Sequence, residues 1–397
     1  MLKAREVKPD IYWVGAIEWN ERYIHGFTMP GGSTNNAYLI VDEQVALIDT
    51  CTPGFEDELL GRIADVIDPA RIDYIVSNHG EKDHAGSIEA VLAAAPRAKV
   101  VTSSPQGLKV LRRCCGTDRE FLAMADGDEL SLGKRTLRFI HTPMVHWPDN
   151  MVAYCPQDRV LFSNDAFGQF LATSQRFDDE AGPDLALACA KKYFANIVMP
   201  FARQTAKAVA AVRDLEIDLI APAHGVIWRS AIEEILDCYE AWCALEPADA
   251  AVVAYASMYG STGRMARTIA EAFMAAGVKV RLYDLQVSDI SDIMTEVMDA
   301  RWVALGSPTH NKTVLPAMGQ FLTYLKGLAP QGRCGIAFGS YGWAPSGPAE
   351  IAEVLQAAGF QVPLDPLTAA WDADDADDRR LCQAISDLLG RPAQQGR

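Results

Sequence analysis

Residues 75–87 read IVSNHGEKDHAGS, and the interpretation of the first part of the chain starts from this stretch. Residues 71–77 have the pattern of a buried strand that enters a polar loop. Four potential metal ligands follow within six positions: His79, Glu81, Asp83 and His84. A strand end holds a loop on rigid backbone, so these side chains can close round two adjacent metal ions. So dense a set of ligands is poorly explained as a solvated turn.

Three more ligand types stand far apart, each after an apolar strand. They are His146 in MVHWPDNM, Asp165 in LFSNDAFG and His224 in LIAPAHGVIW. Alone, a histidine or aspartate after a strand is usually a cap or a turn residue. Here, however, all three follow a strand end, as the ligand-rich loop at 79–84 does. This common placement predicts one dinuclear site with four imidazoles and three carboxylates.

The composition of this ligand set narrows the choice of metal. Three carboxylates and one bridging hydroxide balance the charge of two divalent ions. Mixed imidazole and carboxylate ligands suit non-haem iron or manganese, and affinity alone leaves zinc open. Zinc hydrolases whose ligands follow strand ends in this way normally carry a histidine at the position of Glu81. The extra carboxylate therefore favours a redox-active di-iron pair.

Residues 1–248 mix short apolar runs with Gly, Pro, Asn and Asp. This pattern favours two packed sheets flanked by helices over a single wound sheet. The predicted strands are 36–40, 45–49, 71–77, 137–141, 152–155 and 160–163, and the predicted helices are 55–66, 87–95 and 206–215.

The pattern of predicted elements changes after residues 244–250. This small acidic segment contains a proline, and we interpret it as an interdomain linker. We predict domains at 1–248 and 249–397. Strands and helices alternate in the second domain as in a parallel, doubly wound sheet. The predicted strands are 252–256, 278–285, 302–306, 334–339 and 362–367, with helices at 265–276, after 315, at 349–358 and at 374–389.

Three loops at the carboxyl edge of this predicted sheet indicate a planar, phosphorylated ligand. The first opens a helix with hydroxyls and backbone N–H groups, which suits an anion, and it lacks the lysine of a P-loop. Aromatic side chains in the third loop can stack on a ring. Together the loops predict flavin mononucleotide (FMN), bound by Ser257, Met258, Tyr259, Gly260, Ser261 and Thr262, by Pro308, Thr309, His310 and Asn311, and by Ser340, Tyr341, Gly342 and Trp343.

Composition excludes several partners. The 397 residues carry 36 Lys plus Arg against 52 Asp plus Glu, a net charge of −16, which argues against nucleic acid and anionic membrane surfaces. No apolar stretch approaches the length that spans a bilayer, and the N-terminus lacks the apolar region of a secretory signal. The nine cysteines are odd in number and show no C-x-x-C spacing. A reducing, cytoplasmic location is therefore expected.

Over essentially its full length, the chain resembles a flavodiiron protein, also called an A-type flavoprotein or rubredoxin:oxygen oxidoreductase. The H-x-E-x-D-H string and the HWPD, SND and HGVIWR segments carry the likeness in the first half. SMYGST, GSPTHN and FGSYGW carry it in the second half. The resemblance implies an α/β protein: an N-terminal metallo-β-lactamase-like αββα sandwich plus a C-terminal flavodoxin-like doubly wound parallel sheet.

The resemblance also assigns roles to residues. One iron takes His79, Glu81 and His146, the other takes Asp83, His84 and His224, and Asp165 bridges them with a hydroxide. His25 and Tyr193 align with pocket residues that supply protons or hydrogen bonds, and Trp343 aligns with the aromatic beside the flavin. The chain departs from the family at Phe194, where a second tyrosine is common, and at residues 344–345, where serine is frequent.

The activity implied by this resemblance is reduction of O2 to water, of NO to N2O, or of both. The resemblance further implies that electrons pass through FMN from an external donor (rubredoxin, a flavin reductase or a deazaflavin) and that the chain forms a head-to-tail homodimer. Two other classes stay open at this point. One is a zinc-dependent hydrolase with an appended flavodoxin-like domain, and the other is an electron-transfer flavoprotein with a vestigial metal site.

Overall fold

The structure, a computed structural model, describes residues 2–114, 120–328 and 330–390. Contacts between residues divide the chain into two compact units. The first holds the residues up to Ile24 together with Met29–Ala244, and the second holds His25–Thr28 and the residues from Leu245 onward. Within the described ranges, no helix is long and apolar enough to cross a membrane.

Two sheets form the framework of the first unit. A seven-stranded sheet has the order β1-β2-β7-β8-β9-β10-β11, and a five-stranded sheet has the order β12-β13-β14-β15-β16. The strands up to residue 222 are β1 (Arg5–Lys8), β2 (Ile11–Trp13), β3 (Ala16–Glu18), β4 (Tyr23–Ile24), β5 (Phe27–Thr28), β6 (Ser33–Asn35), β7 (Tyr38–Ile40), β8 (Val45–Ile48), β9 (Ile72–Ser77), β10 (Lys99–Ser103), β11 (Phe121–Met124), β12 (Glu129–Ser131), β13 (Thr136–His141), β14 (Met151–Cys155), β15 (Val160–Asn164) and β16 (Leu219–Pro222).

One core lies between the two sheets and another lies under helices. Ile48 and Val76 of the first sheet pack in the same buried cluster as Phe139 and Phe162 of the second. On the opposite face of the first sheet, residues such as Leu47 pack with helical side chains. The helices up to residue 244 are α1 (Glu56–Val66), α2 (Lys82–Ala85), α3 (Ile88–Ala94), α4 (Gln106–Cys114), α5 (Asp178–Ala181), α6 (Pro183–Tyr193), α7 (Ala202–Arg213) and α8 (Ile232–Ala244).

The central strands read as continuous apolar runs because both of their faces are covered. All four residues of β8 are buried, as are all five of β14 and of β15. Alternate residues of such a strand point to opposite faces of the sheet. Val152 and Leu161 are buried but lie outside the cluster between the sheets, so they face the outer side of the second sheet, which is also covered. This layering confirms the predicted sandwich of two sheets between helices.

The second unit contains a five-stranded parallel sheet with the order β18-β17-β19-β20-β21. This order is the flavodoxin-like one, and it confirms the predicted doubly wound fold. The elements are β17 (Ala248–Tyr255), α9 (Ser261–Ala275), β18 (Lys279–Asp284), α10 (Ile290–Asp299), β19 (Ala300–Gly306), α11 (Pro316–Leu328), β20 (Cys334–Tyr341), α12 (Ser346–Ala357), β21 (Leu367–Ala370) and α13 (Asp375–Leu389).

Two details of this unit differ from the sequence-based expectation. The last strand was predicted at residues 362–367 but lies at Leu367–Ala370. Pro363 and Pro366 have no backbone N–H to donate to a sheet ladder, so the strand starts only after them. Helix α10 was not predicted, although Asp289 caps it by accepting hydrogen bonds from the backbone N–H groups of Ser291 and Asp292.

The junction between the units is shorter than the predicted linker. Helix α8 ends at Ala244 and strand β17 begins at Ala248, so the strand includes the last three residues of the predicted segment 244–250. Buried Arg333 donates a 2.7 Å hydrogen bond to the carbonyl of Leu245 and another bond to the carbonyl of Met298. These bonds attach Leu245 to the second unit.

Gly339, in β20, permits a close approach to the backbone that follows β19, and its replacement should destabilise the second unit. Its φ is +158°, and a Cβ placed there lies 1.9 Å from the carbonyl oxygen of Ser307. We expect Gly339→Ala to lower the free energy of unfolding by about 3 kcal/mol, through clash and backbone strain. Urea unfolding followed by circular dichroism measures this change.

Gly327→Ala is the matched control for that substitution. Gly327 lies in α11, and an added Cβ there has no neighbour within 4 Å. Alanine at a helical position of this kind should leave stability unchanged or raise it by up to about 1 kcal/mol. Equal effects of the two substitutions would contradict the close approach at Gly339.

Candidate metal and flavin sites

Strand ends of both sheets bring the seven predicted metal ligands to one place in the first unit. The loop after β9 and helix α2 supply four of them, and the loops after β13, β15 and β16 supply one each. The ligand atoms form three overlapping groups, each within 4.8 Å. The groups are His79 with Glu81 and His146, His79 with His84 and Asp165, and Asp83 with His84 and His224.

Two carboxylates each lie between a pair of imidazoles. Glu81 Oε2 is 3.2 Å from His79 Nε2 and 3.3 Å from His146 Nε2. Asp83 repeats the arrangement on the other side, with Oδ1 3.3 Å from His84 Nε2 and Oδ2 3.3 Å from His224 Nε2. Nitrogen and oxygen ligands about 2.0–2.2 Å from one ion lie roughly 3–3.5 Å from one another. These spacings therefore fit two separate metal positions.

Asp165 lies between the two positions and turns one oxygen toward each. Its Oδ2 is 3.8 Å from His79 Nε2 and 3.7 Å from His146 Nε2. Its Oδ1 is 3.2 Å from His84 Nε2 and 3.6 Å from His224 Nε2. A single carboxylate with this orientation can contact both ions.

Three buried polar atoms of the cluster show that its residues fit a bound cation. In the described part of the chain, His84 Nε2, Asp83 Oδ1 and Asp165 Oδ2 are buried and have no hydrogen-bond partner. Such atoms normally cost free energy unless something satisfies them. Two divalent cations would satisfy all three, so the residues present fit a dinuclear metal centre.

The cluster strongly perturbs its own ionisation in the absence of metal. Burial lowers the pKa of the His79 imidazole, but hydrogen bonds with Asp149 and Glu81 outweigh burial and raise the pKa to about 9. Burial raises the pKa of Glu81, but hydrogen bonds with His146 and His79 outweigh it and lower the pKa to about 2. Metal ions must therefore displace protons from the imidazoles when they bind.

A buried carboxylate, Asp49, connects the backbones that carry the ligands. Its Oδ1 accepts a 2.8 Å hydrogen bond from the backbone N–H of Asn78, and its Oδ2 accepts bonds from the side-chain amides of Asn78 and Asn164, each 3.2 Å. Asn78 and Asn164 directly precede His79 and Asp165. The network therefore fixes one ligand loop from each sheet. Sequence reasoning missed Asp49, because a single aspartate at a strand end gives no distinctive pattern.

The two predicted pocket residues have different surroundings. Tyr193, the last residue of α6, is buried, and its hydroxyl donates a 3.0 Å hydrogen bond to Asp165 Oδ1. Burial and the nearby Asp165 carboxylate raise the pKa of its phenol well above the usual value. His25 is exposed, in a left-handed backbone conformation, and belongs by its contacts to the second unit. Tyr193 therefore adjoins the cluster within its own unit, and His25 does not belong to that unit.

The three loops predicted to bind flavin surround a cavity of about 510 Å³ in the second unit. Most of the predicted residues line it, including Ser257, Thr309 and Trp343. The cavity adjoins the N-terminus of the 15-residue helix α9, where free N–H groups favour a phosphate. The exposed aromatic residues Tyr259, Trp343 and Trp371 suit a planar ring. The lining thus fits FMN in size and chemistry.

Two of the predicted flavin residues support the cavity without lining it. Gly260, with φ +96°, is the N-cap of α9. Buried Thr262 lies 3.0 Å, hydroxyl to hydroxyl, from Ser340 and so joins the first loop to the third. These contacts give both residues a structural role in holding the loops.

Sequence reasoning missed one aromatic wall of the cavity, Trp371. It follows β21 directly and rests against Gly342, where an added Cβ would lie 3.3 Å from the indole. Its backbone N–H donates a 2.7 Å hydrogen bond to the carbonyl of Tyr341. The rule that ligand residues follow strand ends would have found Trp371, had the last strand been placed correctly.

Comparisons with known proteins agree with both halves of this description. The model of the ODP family beta lactamase matches residues 33–225, and the flavodoxin model matches residues 253–384. The nitric oxide reductase of Moorella thermoacetica is 41% identical, covering 91% of this chain and 92% of that protein. The rubredoxin-oxygen oxidoreductase of Megalodesulfovibrio gigas is also 41% identical, covering 92% of each chain.

The chain belongs to the flavodiiron protein family. A crystal structure of the flavodiiron protein from Giardia intestinalis, 34% identical, superposes with a TM-score of 0.94 over 98% of this chain and 97% of that one. Members of the family are oxidoreductases by name, which confirms the class of enzyme expected from the sequence. The hydrolase interpretation finds no support among these relatives.

The raised pKa of His79 predicts how the stability of the metal-free protein depends on pH. The folded-state pKa of about 9 lies above the value of 6.5 for a free imidazole. The stabilisation is therefore fully present below pH 6.5 and is lost as pH rises through 9. His79 alone should contribute about 3 kcal/mol over this interval. Urea unfolding of the chelated protein at several pH values measures it.

Two variants serve as controls for this pH dependence. His79→Gln should make the decline between pH 6.5 and 9 shallower, since one of the titrating groups is gone. His141→Gln, which replaces a histidine bonded to the backbone of Met124 outside the cluster, should keep it. A wild-type stability that rises over this interval would refute the assignment.

Proposed function

We propose that this chain reduces O2 to water, NO to N2O, or both, at a pair of iron ions served by FMN. The observation that carries the proposal is the orientation of Asp165, which turns one oxygen toward each of two complete groups of ligands. The presence of Glu81 in one group favours iron over zinc, because an added anionic ligand weakens a zinc Lewis acid. The names of the relatives agree with both gases.

The ligand groups suggest which residues would hold each ion. One iron would take His79, Glu81 and His146, and the other would take Asp83, His84 and His224, with Asp165 and a hydroxide between them. When bound, two ferrous ions supply two electrons and reduced FMN supplies two more, which is the number needed to convert one O2 and four protons into two waters.

The protein's own residues control access and protons at this site. His79, His84 and Asp165 are almost completely buried, whereas Glu81, Asp83 and His146 keep 17–22% of their side chains exposed. We infer that a small gas enters on the side of these three residues. Tyr193 holds a proton on its hydroxyl, directed at Asp165 Oδ1, and its raised pKa keeps that proton in place near neutral pH.

Supply of protons or hydrogen bonds to the bound gas by Tyr193 and His25 is part of the proposal, with Tyr193 acting as a hydrogen-bond donor. The hydrogen bond to Asp165 supports Tyr193. The role of His25 rests on the resemblance to the family alone. Its place in the second unit suits a role that involves a second subunit. In the head-to-tail homodimer that we propose, the flavin of one subunit serves the irons of its partner.

The loops of the second unit would bind FMN by two kinds of contact. Ser257, in the loop before α9, and Ser261, its first residue, would donate hydrogen bonds to the phosphate. Trp343 and Trp371 would flank the ring. We propose rubredoxin as the electron donor, because the relative from Megalodesulfovibrio gigas is named for it, with a flavin reductase or a deazaflavin as the other classes. We also propose a cytoplasmic location, in line with the eight described cysteines, all of which are free. Cys115 lies outside the described residues.

Anaerobic turnover of each gas, with chemically reduced rubredoxin, tests the proposed activity. Protein assayed for two irons and one FMN should consume O2 or NO. Asp165→Asn, which removes the charge shared by both positions, should lower iron content and reduce the rate at least about 100-fold while FMN content stays the same.

Iron-free protein with full FMN content is the control for that experiment. It should accept electrons from rubredoxin yet turn over neither gas at an appreciable rate. Full activity without iron, or two equivalents of zinc together with phosphodiester or thioester hydrolysis, would overturn the proposal.

The dimer is tested separately by mixing two inactive variants. Asp165→Asn lacks a working metal centre, and Gly339→Ala disturbs the flavin loops. If flavin and irons of different subunits cooperate, co-refolded mixtures should recover about a quarter to a half of the wild-type activity. Light scattering should show a dimer or a multiple of one. An active monomer, or no recovery in mixed dimers, would contradict this arrangement.

A further inference from the structure

We propose that Asp149 is a positioning residue for one of the two metal positions. It holds His79 in the tautomer that exposes Nε2 to the metal. Its charge makes the position formed by His79, Glu81 and His146 bind its ion more tightly than the other position does. The inference rests on the proposed dinuclear metal site, but it does not depend on which gas is reduced.

The hydrogen bonds of Asp149 settle the tautomer of His79. Asp149 Oδ2 lies 3.1 Å from His79 Nδ1 and 2.7 Å from the backbone nitrogen of Gly80. Both side chains are completely buried, so water does not compete for these contacts. An ionised carboxylate only accepts hydrogen bonds, and the proton of His79 must therefore reside on Nδ1. When a metal ion displaces the proton from Nε2, the lone pair of that nitrogen points into the cluster.

The surroundings of Asp149 hold it close to His79. The hydroxyl of Ser103 donates a 2.6 Å hydrogen bond to the backbone carbonyl of Asp149. A Cβ on Gly80 would lie 3.2 Å from Asp149 Oδ2 and 2.4 Å from the side chain of Val110, so glycine leaves the room that the contact needs. Trp147 meets the His79 ring edge-on at 5.0 Å between centroids. One short loop thus supplies the ligand His146, the packing of Trp147 and the carboxylate of Asp149.

The second metal position has no equivalent charge on its comparable histidine. His224 also donates from Nδ1, at 2.7 Å, but its acceptor is the neutral backbone carbonyl of Thr34. The first position therefore has Glu81 and Asp149 as its own carboxylates, and Asp149 is bonded directly to a ligand imidazole. The second position has Asp83, together with buried Asp49, whose charge acts on His84 but whose oxygens accept hydrogen bonds from Asn78 and Asn164. Asp165 is shared by both positions. In a buried site this difference attracts a divalent cation more strongly to the first position, and it makes the His79 imidazole a better donor.

Asp149→Asn separates the charge from the hydrogen bonds. The asparagine oxygen can still accept from His79 Nδ1 and from Gly80, but the negative charge is gone. Metal-free protein that retains FMN is titrated anaerobically with Fe(II) against a chelator. The wild type should bind two equivalents in two distinguishable steps. In the variant, we expect the tighter step to weaken by about 10–100-fold and the weaker step to change less than about threefold.

Asp178→Asn is the matched control variant. Asp178 is also a buried aspartate of the first unit, but it accepts hydrogen bonds from the backbone N–H groups of Arg229, Ser230 and Ala231. Its loss should lower the melting temperature and leave both iron steps unchanged. The proposal fails if Asp149→Asn weakens both steps equally or neither, or if Asp178→Asn reproduces its effect on the tighter step.

A measurement on the wild type tests the tautomer without any variant. Protein labelled with 15N in histidine and loaded with Zn(II), a diamagnetic probe, is studied by NMR. We expect His79 to carry a slowly exchanging proton on Nδ1, with the metal on Nε2. A proton on Nε2 would overturn the proposal even if the Asn variant did not fold. Neither measurement uses a gas or an electron donor. A failure of this proposal can therefore be distinguished from a failure of the proposed activity.

Discussion

The structure depends on an electrostatic constraint, which is that several carboxylates are buried in one small volume of the first unit. Asp49, Asp149 and Asp165 are all buried, and Glu81 and Asp83 adjoin them. Buried anions are tolerated only when cations or hydrogen-bond donors compensate them. Without metal, protonated imidazoles supply that compensation, as the raised pKa of His79 shows. With metal, two divalent ions take over the role, so the metal-free site is already arranged to receive them.

The sandwich serves this constraint by bringing strand ends from two sheets together. Strands β9 and β15, which are buried at their carboxyl ends, end where the ligands begin, and Asp49 joins the loops that follow them. The second unit uses the same device at the carboxyl edge of its parallel sheet, where three loops and the start of α9 surround the flavin cavity. In both units, the framework is apolar and continuous, and the chemistry lies in the loops.

Much of this architecture was predictable from the sequence. The rest was unpredictable, and the reasons are physical. Four ligands in six residues form a pattern that few other structures explain, and the strand-end rule then found His146, Asp165 and His224. Long apolar strands such as β20 were located well, whereas strands of two or three residues such as β4 have too little periodicity to detect. Asp149 was missed because its role depends on contacts between segments distant in the chain, and Trp371 was missed because the last strand was placed too early. The two prolines before β21 delay the start of that strand, because neither can donate to a sheet ladder.

The most direct test of the central claim is an anomalous-scattering map of crystals of the protein as purified, recorded on both sides of the iron absorption edge. The account predicts two iron peaks per chain within the seven-residue cluster, one beside each oxygen of Asp165. A single peak, two peaks that appear only at the zinc edge, or iron located away from Asp165 would contradict it.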